Sequence, residues 1–111
     1  MINQDYGTQL VGEFKKNQKV LTAIGDETRQ AIIVTLMQGT QMPGMRVGEI
    51  TERTNLSRPA VSHHLRILKE AEIINVRKKG TMNYYHLDSG STLKQLKPLF
   101  EQLESLLLQC E

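Results

Sequence analysis

The chain has 111 residues, the size of one ordinary domain and long enough to bury a single core, so one domain is the default. With 39% hydrophobic and 23% charged residues it is neither a disordered nor a fibrous composition. The formal charge of +2 is too small to establish a polyanionic partner, so the placement of charge carries more information than its sum.

Leu10, Val11, Phe14, Leu21 and Ile24 recur at near-helical spacing and predict a first helix, over about residues 9–24, that Gly25 ends. Asp26 is a natural N-cap for a second helix, since its carboxylate accepts orphan backbone N–H groups, and Glu27 suits the positive end of the dipole. Ala31, Ile32, Val34, Leu36 and Met37 supply the apolar content of that helix, and Gly39 stops it. Residues 40–45, with Pro43 and Gly44, read as a loop.

A short third helix follows near 46–54, with Val47 and Ile50 facing inward, and Asn55 and Leu56 make the next turn. Ser57 caps a fourth helix whose first turn holds Pro59, where a missing N–H costs nothing. Its apolar stripe is Val61, Leu65 and Leu68, at i, i+4 and i+7. After Ala71 the period changes to two: Ile74 and Val76 alternate with Asn75 and Arg77, then Met82, Tyr84 and His86 with Asn83, Tyr85 and Leu87. Two strands are implied, joined through Lys78, Lys79, Gly80 and Thr81, so the hairpin has a basic tip. Ser89, Gly90 and Ser91 lead to a last, leucine-rich helix over about 92–109, which Pro98 either starts or kinks.

This order predicts a mainly α chain with a small β-hairpin, an α+β winged helix-turn-helix of about five helices and a two-stranded wing in one domain, 1–111. In that geometry the second helix of the pair enters a major groove and the hairpin reaches a neighbouring groove or the backbone. With Val61, Leu65 and Leu68 inward, the 100° increment turns Pro59, Ser62, His63 and Arg66 outward. Residues 46–79 hold eight basic residues against four acidic ones, whereas residues 1–45 are balanced and 80–111 are net negative. Double-stranded DNA is the expected partner. Ser57, Arg58, Ala60, Ser62, His63 and Arg66 are the candidates for selectivity and Arg53, Arg77, Lys78 and Lys79 for phosphate contact, with Pro59 and Thr81 completing the expected DNA-binding set. A solvated amphipathic helix, or a winged helix whose basic face docks an acidic protein, are the alternatives that helical spacing alone leaves open.

The segments GDETRQAIIVTLMQG, LSRPAVSHHLRILKEAEII and RKKGTMNYYHLD resemble the ArsR-type (ArsR/SmtB) repressors over about residues 21–88. The most specific part is Ser57, Ser62, His63, His64, Leu65 and Leu68, supported by Tyr84 and Tyr85. The resemblance implies a winged-helix homodimer that occupies an operator and represses until a signal releases it. Glu72 departs from it, because the family usually has glycine after the recognition helix; a left-handed backbone there would strain a glutamate.

Many members of that family sense metals through a cysteine pair at the start of the third helix or through carboxylate and His ligands on the final helix. Here the corresponding third-helix positions are Arg46, Val47 and Gly48, and residues 92–111 contain no His. Neither ligand set is present, so no metal site and no cofactor is expected, with an atypical metal site as the in-class alternative. His63 and His64 are adjacent and about 100° apart, which suits DNA contact for His63 and partial burial for His64. The single Cys110 excludes an intrachain disulfide; an intersubunit bridge is its one redox alternative. No catalytic dyad or phosphate-binding loop is recognisable, so the chain is not expected to be an enzyme.

The last helix carries more leucine than one face needs, which predicts a symmetric dimer through the first and last helices. Its candidates are Leu10, Phe14, Leu96, Leu99, Phe100, Leu103, Leu106 and Leu107. No apolar run is long enough for a membrane span and the polar start lacks a signal-peptide layout, so a cytoplasmic location is expected.

Overall fold

The computed structural model describes residues 4–39, 44–88 and 90–110; the loop read over 40–43 and Ser89 lie outside the described residues. Six α-helices and one hairpin follow in the order α1 (Gln4–Lys16), α2 (Gln18–Ile24), α3 (Glu27–Gln38), α4 (Val47–Thr54), α5 (Arg58–Glu70), β1 (Ile74–Lys79), β2 (Met82–Leu87) and α6 (Leu96–Cys110). A 3₁₀ turn, Thr92–Gln95, leads into α6.

The extra helix arises at Asn17, which divides the first predicted helix in two. Its backbone N–H donates to Glu13 O at 3.1 Å and its side-chain Nδ2 to the same carbonyl at 2.8 Å. A side chain that competes for an i−4 carbonyl bends a helix without stopping it, and hydrophobic spacing carries no trace of that competition. Asn17 is wholly buried where α1 gives way to α2.

The capping chemistry is otherwise as the sequence dictates. Asp26 Oδ1 accepts the Arg29 N–H at 3.0 Å and starts α3, and Gly25 and Gly39 close α2 and α3. The apolar content of α3 is divided, however. Ile32 and Leu36 enter the core, while Val34 and Met37 are more than half exposed and Ala31 also faces solvent. Arg29 and Thr35 take the buried positions beside them.

The core joins Val20 and Ala23 of α2 to Ile32 and Leu36 of α3, Ile50 of α4, and Val61, Leu65 and Leu68 of α5. The sheet closes it on one side. β1 and β2 pair antiparallel with Ile74 opposite Leu87 and Val76 opposite Tyr85, and Ile74, Leu87 and Tyr85 pack on the core. Lys78 and Lys79 belong to β1, opposite Asn83 and Met82, so the connection is the two residues Gly80 and Thr81 and not the four that the sequence suggested. Gly80 has φ +61°, as the first position of a two-residue hairpin loop favours.

Met45, assigned to the loop by its sequence, instead forms an isolated antiparallel bridge with Tyr85 and is buried. After α5, Glu72 adopts φ +60°. Its N–H donates to Lys69 O at 2.9 Å and the Ile73 N–H to Leu68 O at 3.0 Å, a Schellman ending with Ile73 and Leu68 both fully buried. Thr92 Oγ1 then donates to Ala71 O at 2.6 Å and anchors the approach to α6. Pro98 is the third residue of α6, inside the first turn, and therefore starts the helix without kinking it.

Candidate nucleic-acid interface

α4 and α5 are joined by three residues whose geometry is fixed from both sides. Asn55 ends α4 in the left-handed region, φ +57°, where its short polar side chain is tolerated. Ser57 Oγ accepts the Ala60 N–H at 3.3 Å and starts α5. Leu56 between them packs on the core.

On α5 the inward stripe is complete: Val61, Leu65 and Leu68 are 0–1% exposed. Ser62, His63 and Arg66 are exposed on the opposite face, with Arg58, Pro59 and Ser57 exposed at its start. Ala60 is half-buried, and its N–H is committed to the Ser57 cap. It offers a methyl surface only, as Pro59 offers a ring. His63 Nδ1 and Arg66 Nη2 lie 3.4 Å apart, so imidazole and guanidinium form one polar patch.

Arg77, Lys78, Lys79 and Thr81 are exposed on the wing, and Arg53 in the last turn of α4. The strand alternation divides the wing cations, with Arg77 and Lys79 on one face and Lys78 on the other, beyond Val76. A cleft of about 440 Å³ separates wing from helices and brings Arg58 and Thr81 together, with Arg46 and Asn83. Glu49 and Glu52 also line it, so its charge is mixed. Arg53 does not line this cleft. Arg46 and Asn83 were not singled out by the sequence, because only the fold brings the start of α4 to the start of β2.

His64 faces back toward α3, half-buried, with its ring centroid 5.2 Å from that of His63. Its Nδ1 lies 3.1 Å from Arg29 Nη1. Burial lowers the His64 pKa below its ordinary value; the Asp26 carboxylate opposes this, and the charges of Arg29 and His63 reinforce it. The Arg29 backbone N–H lowers the Asp26 pKa, against some desolvation, and the Arg29 charge adds to it. Arg29 was missed by the sequence reading, since a cation in the first turn of a helix reads as solvated.

The predicted dimer residues separate into two groups. Leu96, Leu99 and Leu106 are 6%, 0% and 7% exposed within one protomer, so they hold α6 in place and have no surface left for a partner, contrary to expectation. Leu10 and Leu103 are half-buried, and Phe14, Phe100 and Leu107 are exposed. Val11 and Leu108, not among the candidates, are equally exposed. Among the described residues no cluster of His, Cys, Asp and Glu is placed to hold a metal ion, and no helix is long and apolar enough to cross a membrane.

Residues 26–76 match the family described as bacterial regulatory protein, arsR family. The chain is 44% identical over 70 residues to the transcriptional repressor SdpR of Bacillus subtilis, covering 63% of this chain and 73% of that one. It is 33% identical to an HTH-type transcriptional regulator of Methanocaldococcus jannaschii, over 82% of this chain and 98% of the relative. Reduced HlyU from Vibrio cholerae has a similar structure, with a TM-score of 0.63 at 28% identity over 88% of this chain and 95% of that one. The helix pair, the wing and these relatives agree: the chain belongs to the arsR family of bacterial regulatory proteins and is a DNA-binding transcriptional regulator, not an enzyme.

Proposed function

We propose that the protein is a homodimeric cytoplasmic repressor that holds an imperfect palindromic operator and is released by a signal other than a metal ion. The observation that carries the dimer is its shape. The radius of gyration is 17.0 Å, against about 13 Å for a compact chain of this length, and the longest extent is 56 Å. α1 and α6 pack on each other, and Val11, Phe14, Phe100, Leu107 and Leu108 remain exposed on them. An elongated helix pair with exposed aromatic and leucine side chains favours association with a second copy.

In such a dimer a two-fold axis would set two α5 helices into successive major grooves, about 34 Å apart. Ser57, Arg58, Pro59, Ala60, Ser62, His63 and Arg66 would then meet base edges and nearby phosphates. Arg53, Arg77, Lys78, Lys79 and Thr81 would supply backbone contacts and most of the affinity. The naming of the Bacillus subtilis relative as a repressor supports the direction of regulation. Arg46, Val47 and Gly48 at the start of α4 support a non-metal signal, because none of them is a thiolate, imidazole or carboxylate ligand.

Selection of bound fragments from random and genomic duplexes, followed by footprinting, tests this reading. The expected result is an enriched sequence with two-fold symmetry, protected by a dimer. Absence of binding at low salt would return the basic face to docking an acidic protein. Zinc that copurified with the dimer and changed its DNA affinity would overturn the non-metal signal.

A further inference from the structure

Arg29 is 9% exposed, and its guanidinium is committed on three sides. Nε donates to Ala23 O at 2.7 Å and Nη2 to Thr22 O at 3.1 Å. These carbonyls belong to the last turn of α2, which has no further intrahelical donors to offer them. Nη1 reaches His64 Nδ1 on α5 at 3.1 Å, and Asp26 Oδ2 lies 4.0 Å from the same nitrogen. A planar fork can join two helix elements in this way; a lysine ammonium cannot span all three acceptors from one position.

A guanidinium has donors only, so His64 Nδ1 must accept. The ring is therefore neutral, with its proton on Nε2. A proton on Nδ1 would remove the acceptor and bring two cations into contact. His64 directly follows His63 and lies within one turn of Ser62 and Arg66, so any shift at His64 moves the outward side chains with it.

We propose that Arg29 is a positioning residue for DNA recognition: it clamps neutral His64 to the end of α2, fixes the outward face of α5, and lets go when His64 takes a proton. The inference rests on the reading of α5 as the recognition helix. The charged and titratable groups acting on His64 are Asp26 and Arg29 from α3 and His63 from α5, while α2 contributes only the two carbonyls that hold Arg29. Asp26 works against release, because its carboxylate favours the imidazolium, whereas burial and the Arg29 charge favour the neutral ring. Comparing the wild type with a variant at His64 isolates the response of this ring from that of every other group.

The test measures affinity for a duplex that the full chain has itself enriched from a random pool, and for an unrelated duplex, at about pH 8 and about pH 5.5. His64→Asn keeps an acceptor near the Nδ1 position and cannot be protonated in this range; His64→Ala removes the acceptor. At the higher pH, His64→Asn is expected to bind the enriched duplex like the wild type and His64→Ala about tenfold more weakly, the value of one charge-assisted hydrogen bond. On acidification the wild type should lose about tenfold relative to His64→Asn, with little difference between them on the unrelated duplex. Coincident pH profiles for wild type and His64→Asn, or an Asn variant as weak as Ala, would overturn the clamp while leaving DNA recognition intact. A wild-type chain that binds neither duplex would overturn both.

Discussion

Met45 and Tyr85 exchange both backbone hydrogen bonds, Met45 N–H to Tyr85 O at 2.8 Å and Tyr85 N–H to Met45 O at 2.7 Å. This single bridge gives the wing a third partner and ties the approach to α4 to the middle of β2. It therefore couples the position of the helix pair to that of the basic hairpin. The Met45 side chain, 3% exposed, belongs to the core.

Gly44 makes the bridge possible. Its φ is +121°, and a Cβ there would lie 2.5 Å from Tyr85 O and 3.0 Å from Tyr85 C, both backbone atoms that cannot step aside. Gly44→Ala is expected to destabilise the fold by about 2–4 kcal/mol, combining backbone strain with loss of the bridge. Urea denaturation measures the loss. A variant as stable as the wild type would show that the bridge does not constrain the wing.

Glu72 occupies the left-handed C′ position of α5 that glycine fills without strain. Its side chain is exposed and no hydrogen bond or ion pair of the carboxylate is observed among the described residues. Glu72→Gly should stabilise the protein by about 0.5–1 kcal/mol, the left-handed penalty less the added entropy of an unfolded glycine. Thermal melting should move upward by a few degrees. A lower Tm would mean that unfolded-state entropy outweighs the strain.

The strain at Glu72 was legible because a family resemblance marked one position, and α5 was legible because its stripe, cap and Pro59 are all local signals. What escaped was non-local. Met45 meets Tyr85 across 40 residues of chain, and Arg29 meets His64 across 35, so no window of sequence contains either pair. The division at Asn17 escaped for a different reason: the apolar period runs through it, and only a side chain bonded to its own backbone marks the bend. In α6 the leucine count could not tell Leu96, Leu99 and Leu106, which are buried within the protomer, from Leu107 and Leu108, which are exposed.

That division has a direct consequence. Phe14→Glu or Leu107→Glu places a charge on the exposed surface of α1 or α6 and should convert a dimer to monomers with unchanged far-UV circular dichroism. Leu99→Ala instead opens a cavity inside the protomer and should cost about 2–5 kcal/mol of stability. Light scattering after size exclusion reads the first effect and denaturation the second. Charged variants that remain dimeric would move the interface elsewhere.

Lys78 and Lys79 lie next to the wing tip, opposite Asn83 and Met82. Replacing both with Ala should weaken binding to all duplexes alike and reduce the slope of log affinity against log salt by about 0.9 for each phosphate that is no longer neutralised. His63→Ala or Arg66→Ala should instead act mainly on the enriched sequence, at about 1–3 kcal/mol for each base edge left unread. An unchanged slope in the double lysine variant would remove the wing from the DNA interface.

Asp26 and His64 both have folded-state pKa values below their ordinary ones, 3.8 and 6.5. The folded chain therefore binds fewer protons than the unfolded chain in each range, and stability must rise with pH through both. Above about pH 6.5 both contributions are fully present. As the pH falls below that value the unfolded state takes up the His64 proton first, and stability declines until His64 also titrates in the folded state. A second decline begins near pH 3.8 and ends once Asp26 is protonated in the fold. The urea midpoint should follow these two steps. His64→Asn should remove the upper one, and Asp26→Asn should reduce the lower one while leaving α3 capped, since Asn accepts the same N–H. An upper step that persists in His64→Asn would show that it does not come from the ring that faces Arg29.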